Sequence, residues 1–151
     1  MPVEILGLDH LYLAVRDLAA SEAFYDHALA VFGFRKLREP LDGEPHVHYY
    51  GPQLGFTLRP ARPGTPAHDA YAPGLHHLCF RVRDEAAVDR AAHELRAAGI
   101  EATPPRRYPE YAPDYYATFF SDVDGVRLEV CNFWEVRRWR MANWDAGGAP
   151  G

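Results

Sequence analysis

LDHLYLAVRD, at residues 8–17, lies over LHHLCFRVRD, at residues 75–84, without a gap, and Leu, His, Leu, Val, Arg and Asp coincide. Such self-similarity means one structural unit used twice. Each copy is followed by a helical pattern, LAASEAFYDHALAVF in the first and EAAVDRAAHELRAA in the second, with apolar positions three and four apart. Both patterns stop at a glycine, Gly33 or Gly99, which readily takes the left-handed conformation that ends helices. A new strand is expected just beyond, from Phe34 or Ile100. HVHYYG and LGFTLRP then read as strands in the first half, and YYATFFSD and GVRLEVCNF in the second, with the turn signal Asp124-Gly125 joining the last two. Both halves read as βαβββ, an α+β organisation.

Proline and glycine crowd RPARPGTPAHDAYAPG between the halves, the composition of a surface linker. The expected division is a first module at 1–59, a linker at 60–73, a second module at 74–133 and a C-terminal tail at 134–151. In the tail, NFWEVRRWRMANWD does not keep Trp134, Trp139 and Trp144 on one helical face. It reads as a segment packed on the domain or on a dimer mate, followed by a disordered GGAPG end. A second proline-rich run, TPPRRYPEYAPDY, is a rim or lid over a pocket, or an aromatic surface loop packed on its own module.

Composition narrows the partners. Sixteen basic against 21 acidic residues leave a formal charge of −5, with no basic face, which argues against nucleic acid and for a small molecule. No apolar run approaches the roughly 20 residues that cross a bilayer, so no membrane partner is expected. The start MPVEILGLDH lacks the pattern of a signal peptide, and only Cys79 and Cys131 occur, both in strand-like runs. A reducing cytoplasm is the expected location, with the cysteines as packed core residues.

Strand parity sorts the histidines. On the first strand Leu11, Leu13 and Val15 share one face, and His10, Tyr12 and Ala14 the other. On its repeat Leu78, Phe80 and Val82 share a face with His76, while His77, Cys79 and Arg81 take the opposite one. The apolar face should pack under the module's helix, which leaves His10 and His77 on the open side of the sheet. In VRLEV the apolar positions are Val126, Leu128 and Val130, so Glu129 joins the open side. Two imidazoles and a carboxylate bind a divalent metal and leave positions for water or substrate. His76 is expected to face the helix as a structural residue. His27 and His93 fall on helices and His68 in the linker; His46 and His48 lie on a strand whose register stays open, and His48 could line the same cavity.

The matches LDHLYLAVRDLAASEAFY, GLHHLCFRV and SDVDGVRLEV make the chain resemble the vicinal oxygen chelate superfamily, which includes glyoxalase I, extradiol dioxygenases, fosfomycin-resistance enzymes and bleomycin-resistance proteins. The resemblance implies paired βαβββ modules whose curved mixed sheets form a metal- or ligand-binding cup. It places His10, His77 and Glu129 on three metal-ligand positions, and a fourth position at Phe56 or Thr57, neither of them a good ligand. The implied cofactor is a divalent ion, Zn, Ni, Mn, Co or Fe. The implied function is that of a metal-dependent lyase, isomerase or dioxygenase acting on a small oxygen-bearing substrate, and the implied assembly is a homodimer. The ligands could come from one chain, or from two chains that exchange modules.

Proton transfer would fall to Tyr12, His48, Tyr115 or Tyr116. Tyr49, Tyr50, Tyr108 and Tyr111 could line an aromatic pocket, and Arg106 or Arg107 could meet an anionic group. The rival reading is a metal-free small-molecule binder of the bleomycin-resistance kind.

Overall fold

Asp17 and Asp84, the last residues shared by the two copies, both cap helices. In a computed structural model that describes Val3 and residues 5–143, Asp17 Oδ1 accepts from Ala20 N at 3.0 Å and Asp84 Oδ1 from Ala87 N at 2.8 Å. Each bond satisfies an amide that the first helical turn leaves without a partner. The helices so begun are α1 (Leu18–Ala30) and α2 (Glu85–Ala97). They end alike: Gly33 and Gly99 take φ values of 76° and 80°. The amide of the next residue then reaches back, Phe34 N to Leu29 O at 3.1 Å and Ile100 N to Leu95 O at 2.9 Å. That double closure is the six-to-one bond of a glycine-terminated helix.

The chain divides into two units, one running to Ala72 and taking in Asp122–Val126, the other formed by Pro73–Ser121 and the residues from Arg127 on. The first unit holds β1 (His10–Val15), α1, β2 (Arg35–Arg38), β3 (Val47–Tyr50) and β4 (Gly55–Pro60), in the sheet order β1-β4-β3-β2. The parallel pair β1 and β4 needs the α1 crossover, whereas the other neighbours are antiparallel. Leu58, Val15, Phe56, Val47 and Tyr49 face α1, which answers with Ser21, Tyr25, Ala28 and Leu29. Tyr25 lies against Phe56 with ring centroids 4.9 Å apart, and its hydroxyl donates to Asp122 Oδ2 at 2.8 Å. The other Asp122 oxygen accepts from the amides of Asp124 and Val126, which shapes the turn whose Gly125 has φ 84°.

The second unit repeats the plan with β5 (His77–Arg81), α2, β6 (Arg106–Arg107), β7 (Tyr116–Ser121) and β8 (Arg127–Cys131), in the order β5-β8-β7-β6. Val88, Ala91, Ala92 and Leu95 of α2 pack on Leu128, Val130 and Phe120. Each buried leucine contributes about 1.5–3 kcal/mol relative to exposure. The fold is therefore α+β, two βαβββ modules with open four-stranded mixed sheets.

The proline-rich run at 103–115 supplies only β6, at the sheet edge where missing amides do least harm. The tail adds a helix, α3 (Glu135–Ala142), that sequence spacing did not suggest. Trp134 precedes it and packs on Tyr115, with centroids 4.8 Å apart. Trp144 and the glycine-rich end lie outside the described residues. Among the described residues, no helix is long and apolar enough to cross a membrane.

Candidate functional site

Register across the parallel pairs decides which residues stand side by side on the open face of each sheet. In the first unit His10 faces Gly55, Tyr12 faces Thr57 and Ala14 faces Arg59. In the second, His77 faces Arg127, Cys79 faces Glu129 and Arg81 faces Cys131. Under the repeat that matches His10 to His77, Tyr12 matches Cys79 and Thr57 matches Glu129. Of Phe56 and Thr57, Thr57 is the one on the open face, beside Tyr12. Phe56 points the other way, 1% exposed in the core beneath α1.

In the second unit Glu129 is 3% exposed. Its Oε1 accepts from the Tyr115 hydroxyl at 2.6 Å, and its Oε2 lies 3.5 Å from His77 Nε2. Burial, and then the bond to Glu129, push the Tyr115 phenol well above its ordinary range, so it is a donor here. His77 Nδ1 is 2.8 Å from Nδ1 of His76, and the two rings meet edge to face. His76 is exposed and precedes β5, so it does not pack beneath the helix as expected. The strand starts one residue too late to carry it, and the His76 Nε2 lies 3.5 Å from the Arg127 guanidinium.

Beside this pair, Cys79 and Cys131 are free thiols with their Sγ atoms 3.3 Å apart. They belong to a small apolar cluster with Tyr108, Ala117, Phe119 and Trp134 on the open face, not to the helix-packed core. Tyr116 stands on the opposite face of β7, where its hydroxyl donates to Asp89 of α2 at 2.8 Å. It is not brought to Glu129.

His10 in the first unit is exposed, with Nδ1 2.8 Å from Asp9 Oδ2. Gly55 matters here: a Cβ at that position would stand 3.3 Å from His10 Cβ. His10, Tyr12, His48, Tyr50, Gln53 and Thr57 line a cavity of about 450 Å³ that also takes in the β3–β4 turn. Tyr12 is edge-on to His10 with centroids 5.4 Å apart.

His48 is buried, with Nδ1 3.0 Å from Thr57 Oγ1 and Nε2 3.3 Å from the carbonyl oxygen of Glu39. A carbonyl only accepts, so Nε2 carries the proton and Nδ1 accepts from the Thr57 hydroxyl. His46 stacks on His48 and His48 on Tyr50, at 5.8 and 6.0 Å. This ladder was not legible in the sequence, because nothing there set the register of β3.

Of the other aromatic candidates, Tyr49 is buried on the helix side and donates to Asp26 Oδ1 at 2.9 Å. Tyr108 is buried in the open-face cluster beneath the Arg106 guanidinium, 3.7 Å from its centroid. Tyr111 is exposed and stacks on Tyr108. Arg107 pairs with Glu85 at 2.7 Å. Among the described residues, no group of three or more His, Cys, Asp or Glu side chains is drawn together closely enough to hold a metal ion. His10 belongs to the first unit, and His77 and Glu129 to the second.

Comparison with known proteins finds the same fold elsewhere. A model of the Glyoxalase/Bleomycin resistance protein/Dioxygenase superfamily matches residues 7–130, and the chain belongs to that superfamily. The protein YwkD of Bacillus subtilis (strain 168) is 32% identical over 133 residues, 82% of this chain and 94% of that protein. A glyoxylase/bleomycin resistance protein/dioxygenase domain from Frankia sp. EAN1pec is similar at a TM-score of 0.70 and 30% identity, covering 85% of this chain and 98% of that one. Lactoylglutathione lyase from Agrobacterium tumefaciens is similar at a TM-score of 0.58 and 25% identity, with coverages of 87% and 96%.

Proposed function

We propose that this chain is a metal-dependent enzyme of its superfamily, with His10, His77 and Glu129 holding a divalent ion, Zn, Ni, Mn, Co or Fe, and a small oxygen-bearing molecule as substrate. The observation that carries the reading is Glu129. A carboxylate 3% exposed has one oxygen fixed by Tyr115 and turns the other toward a histidine nitrogen. Leaving a charge in such a place is costly unless a cation or strong donors answer it. Its ion-pair partner among the described residues is His77 alone.

The donor chemistry suits a divalent ion. Asp9 at His10 Nδ1 leaves Nε2 of that ring as the ligand nitrogen, the usual arrangement in which a carboxylate orients a metal-binding imidazole. His76 Nδ1 stands 2.8 Å from His77 Nδ1 and braces that ring from the side away from Glu129. Such an ion, when bound, stabilises negative charge on a substrate oxygen. The remaining work belongs to side chains: Tyr12 and Tyr50 wall the cavity, and Tyr115 positions Glu129. His48 accepts a proton at Nδ1 through the Thr57 hydroxyl.

The same reading takes the protein as a cytoplasmic homodimer, which size-exclusion chromatography with light scattering checks. Metal analysis of protein purified without chelators tests the function itself. The expected result is about one divalent ion per site, lost in His10→Ala. No bound metal, and no uptake that His10→Ala abolishes, would leave a metal-free binding protein in its place.

A further inference from the structure

A second cavity, of about 430 Å³, opens on the same face of the first sheet, at the other end of β1 and β4. Arg16, Arg59, Arg62, Thr65, His68 and Asp124 line it, with Ala14 and the apolar edge of the linker. Three arginines against one aspartate leave two positive charges in the lining of a chain whose net charge is −5. Opposite charge in a partly enclosed lining concentrates anions there.

The individual groups show what is committed and what is not. Arg16 Nε and its backbone amide grip Asp124, each at 2.9 Å. Arg59 reaches Glu44, which is not part of the lining. The Arg62 guanidinium has no ion-pair partner among the described residues. His68 Nε2 is buried and has no hydrogen-bond partner there either. A buried nitrogen in that state is destabilising until a hydrogen-bond partner meets it, and in the tautomer that carries the proton on Nε2 an anionic oxygen entering the cavity is such a partner. Arg59 and Arg62 add planar forks of donors suited to a phosphate or carboxylate.

We propose that this cavity binds an anionic group, a phosphate or a carboxylate. Ala14 lies four residues along β1 from His10 on the same face, about 13 Å at strand rise. The anionic group is therefore one end of an elongated ligand whose oxygen-bearing end lies over His10, an assignment of the second end that rests on the metal reading above. The anion site itself does not depend on a metal.

Calorimetric titration of the full-length, chelator-treated protein at low ionic strength tests it, with inorganic phosphate and succinate as the two probes. Binding of either probe is expected, weakened at least five-fold in Arg62→Gln and in Ala14→Glu, which places a carboxylate in the cavity, and unchanged in His10→Ala. Tighter phosphate identifies a phosphate ester as the natural group, and tighter succinate a carboxylate. If neither probe binds, or Arg62→Gln and Ala14→Glu bind as the wild type does, the anion site falls while the metal reading stands. Loss in His10→Ala alone would move the anion to the other cavity and overturn the proposal as well. Metal uptake, measured separately, reports on the proposed function.

Discussion

A histidine that offers Nε2 to a metal carries its proton on Nδ1, and that proton needs an acceptor to hold the ring in one tautomer. His10 has Asp9 for this, while beside His77 Nδ1 stands His76, whose Nε2 faces the Arg127 guanidinium at 3.5 Å. In GLHHLCFRV His76 is exposed and not a core residue, and under the proposed function it supports the ligand His77. Removing such a partner typically lowers metal affinity ten- to a hundred-fold. His76→Ala is expected to do so in a competition titration with a chromophoric chelator, while leaving the thermal midpoint within about 1 °C, since an exposed side chain contributes little to stability. An unchanged affinity would remove His76 from the site. Strand parity expects His76 and His77 to point apart, but His76 stands one residue before β5 and its ring meets that of His77. What His76 touches depended on where β5 begins, and a boundary of one residue is beyond the reach of periodicity.

At the scale of elements, the two copies share an aspartate because each helix needs its first turn capped. Asp17→Ala and Asp84→Ala should each cost about 1 kcal/mol in urea denaturation, with near-wild-type metal binding. A loss well below that would mean the local turn satisfies the amides without the carboxylate. The βαβββ order was legible for the same kind of reason: caps, glycine stops and apolar spacing are local signals, and all of them appear twice. The neighbours across a sheet were not. That Thr57 rather than Phe56 answers to Glu129, and that His48 stands behind Thr57, follows from the pairing of β1, β4 and β3. These pairings join segments more than forty residues apart, or depend on a register that no local pattern dictates. Tyr116 is the converse case: next to Tyr115 in sequence, it is turned by strand alternation toward α2 and Asp89.

For the whole molecule, the tyrosines set the response to alkali. Burial, then the nearby Asp122 charge, hold the Tyr25 phenol far above its ordinary value, and burial followed by the bond to Asp26 does the same for Tyr49. In the unfolded chain a tyrosine ionises near pH 10. The folded state keeps the proton longer, so stability is fully present below about pH 10 and is lost as pH rises beyond it. Tyr25 alone gives a slope of up to about 1.4 kcal/mol per pH unit. Urea midpoints measured from about pH 8 to about pH 11 should fall at the upper end, and less steeply in Tyr25→Phe; a flat profile would contradict this burial. The repeated βαβββ plan, the helix ends and the strand face of His10, His77 and Glu129 could be read from residue order, because each follows from spacing along one segment. Packing was needed to show that Tyr115 holds Glu129, that His48 bonds Thr57, and that Arg16 just past β1, Arg59 of β4 and Arg62 of the linker share a cavity. Those contacts run between strands or between a strand end and a loop, and only strand pairing and packing bring the residues together.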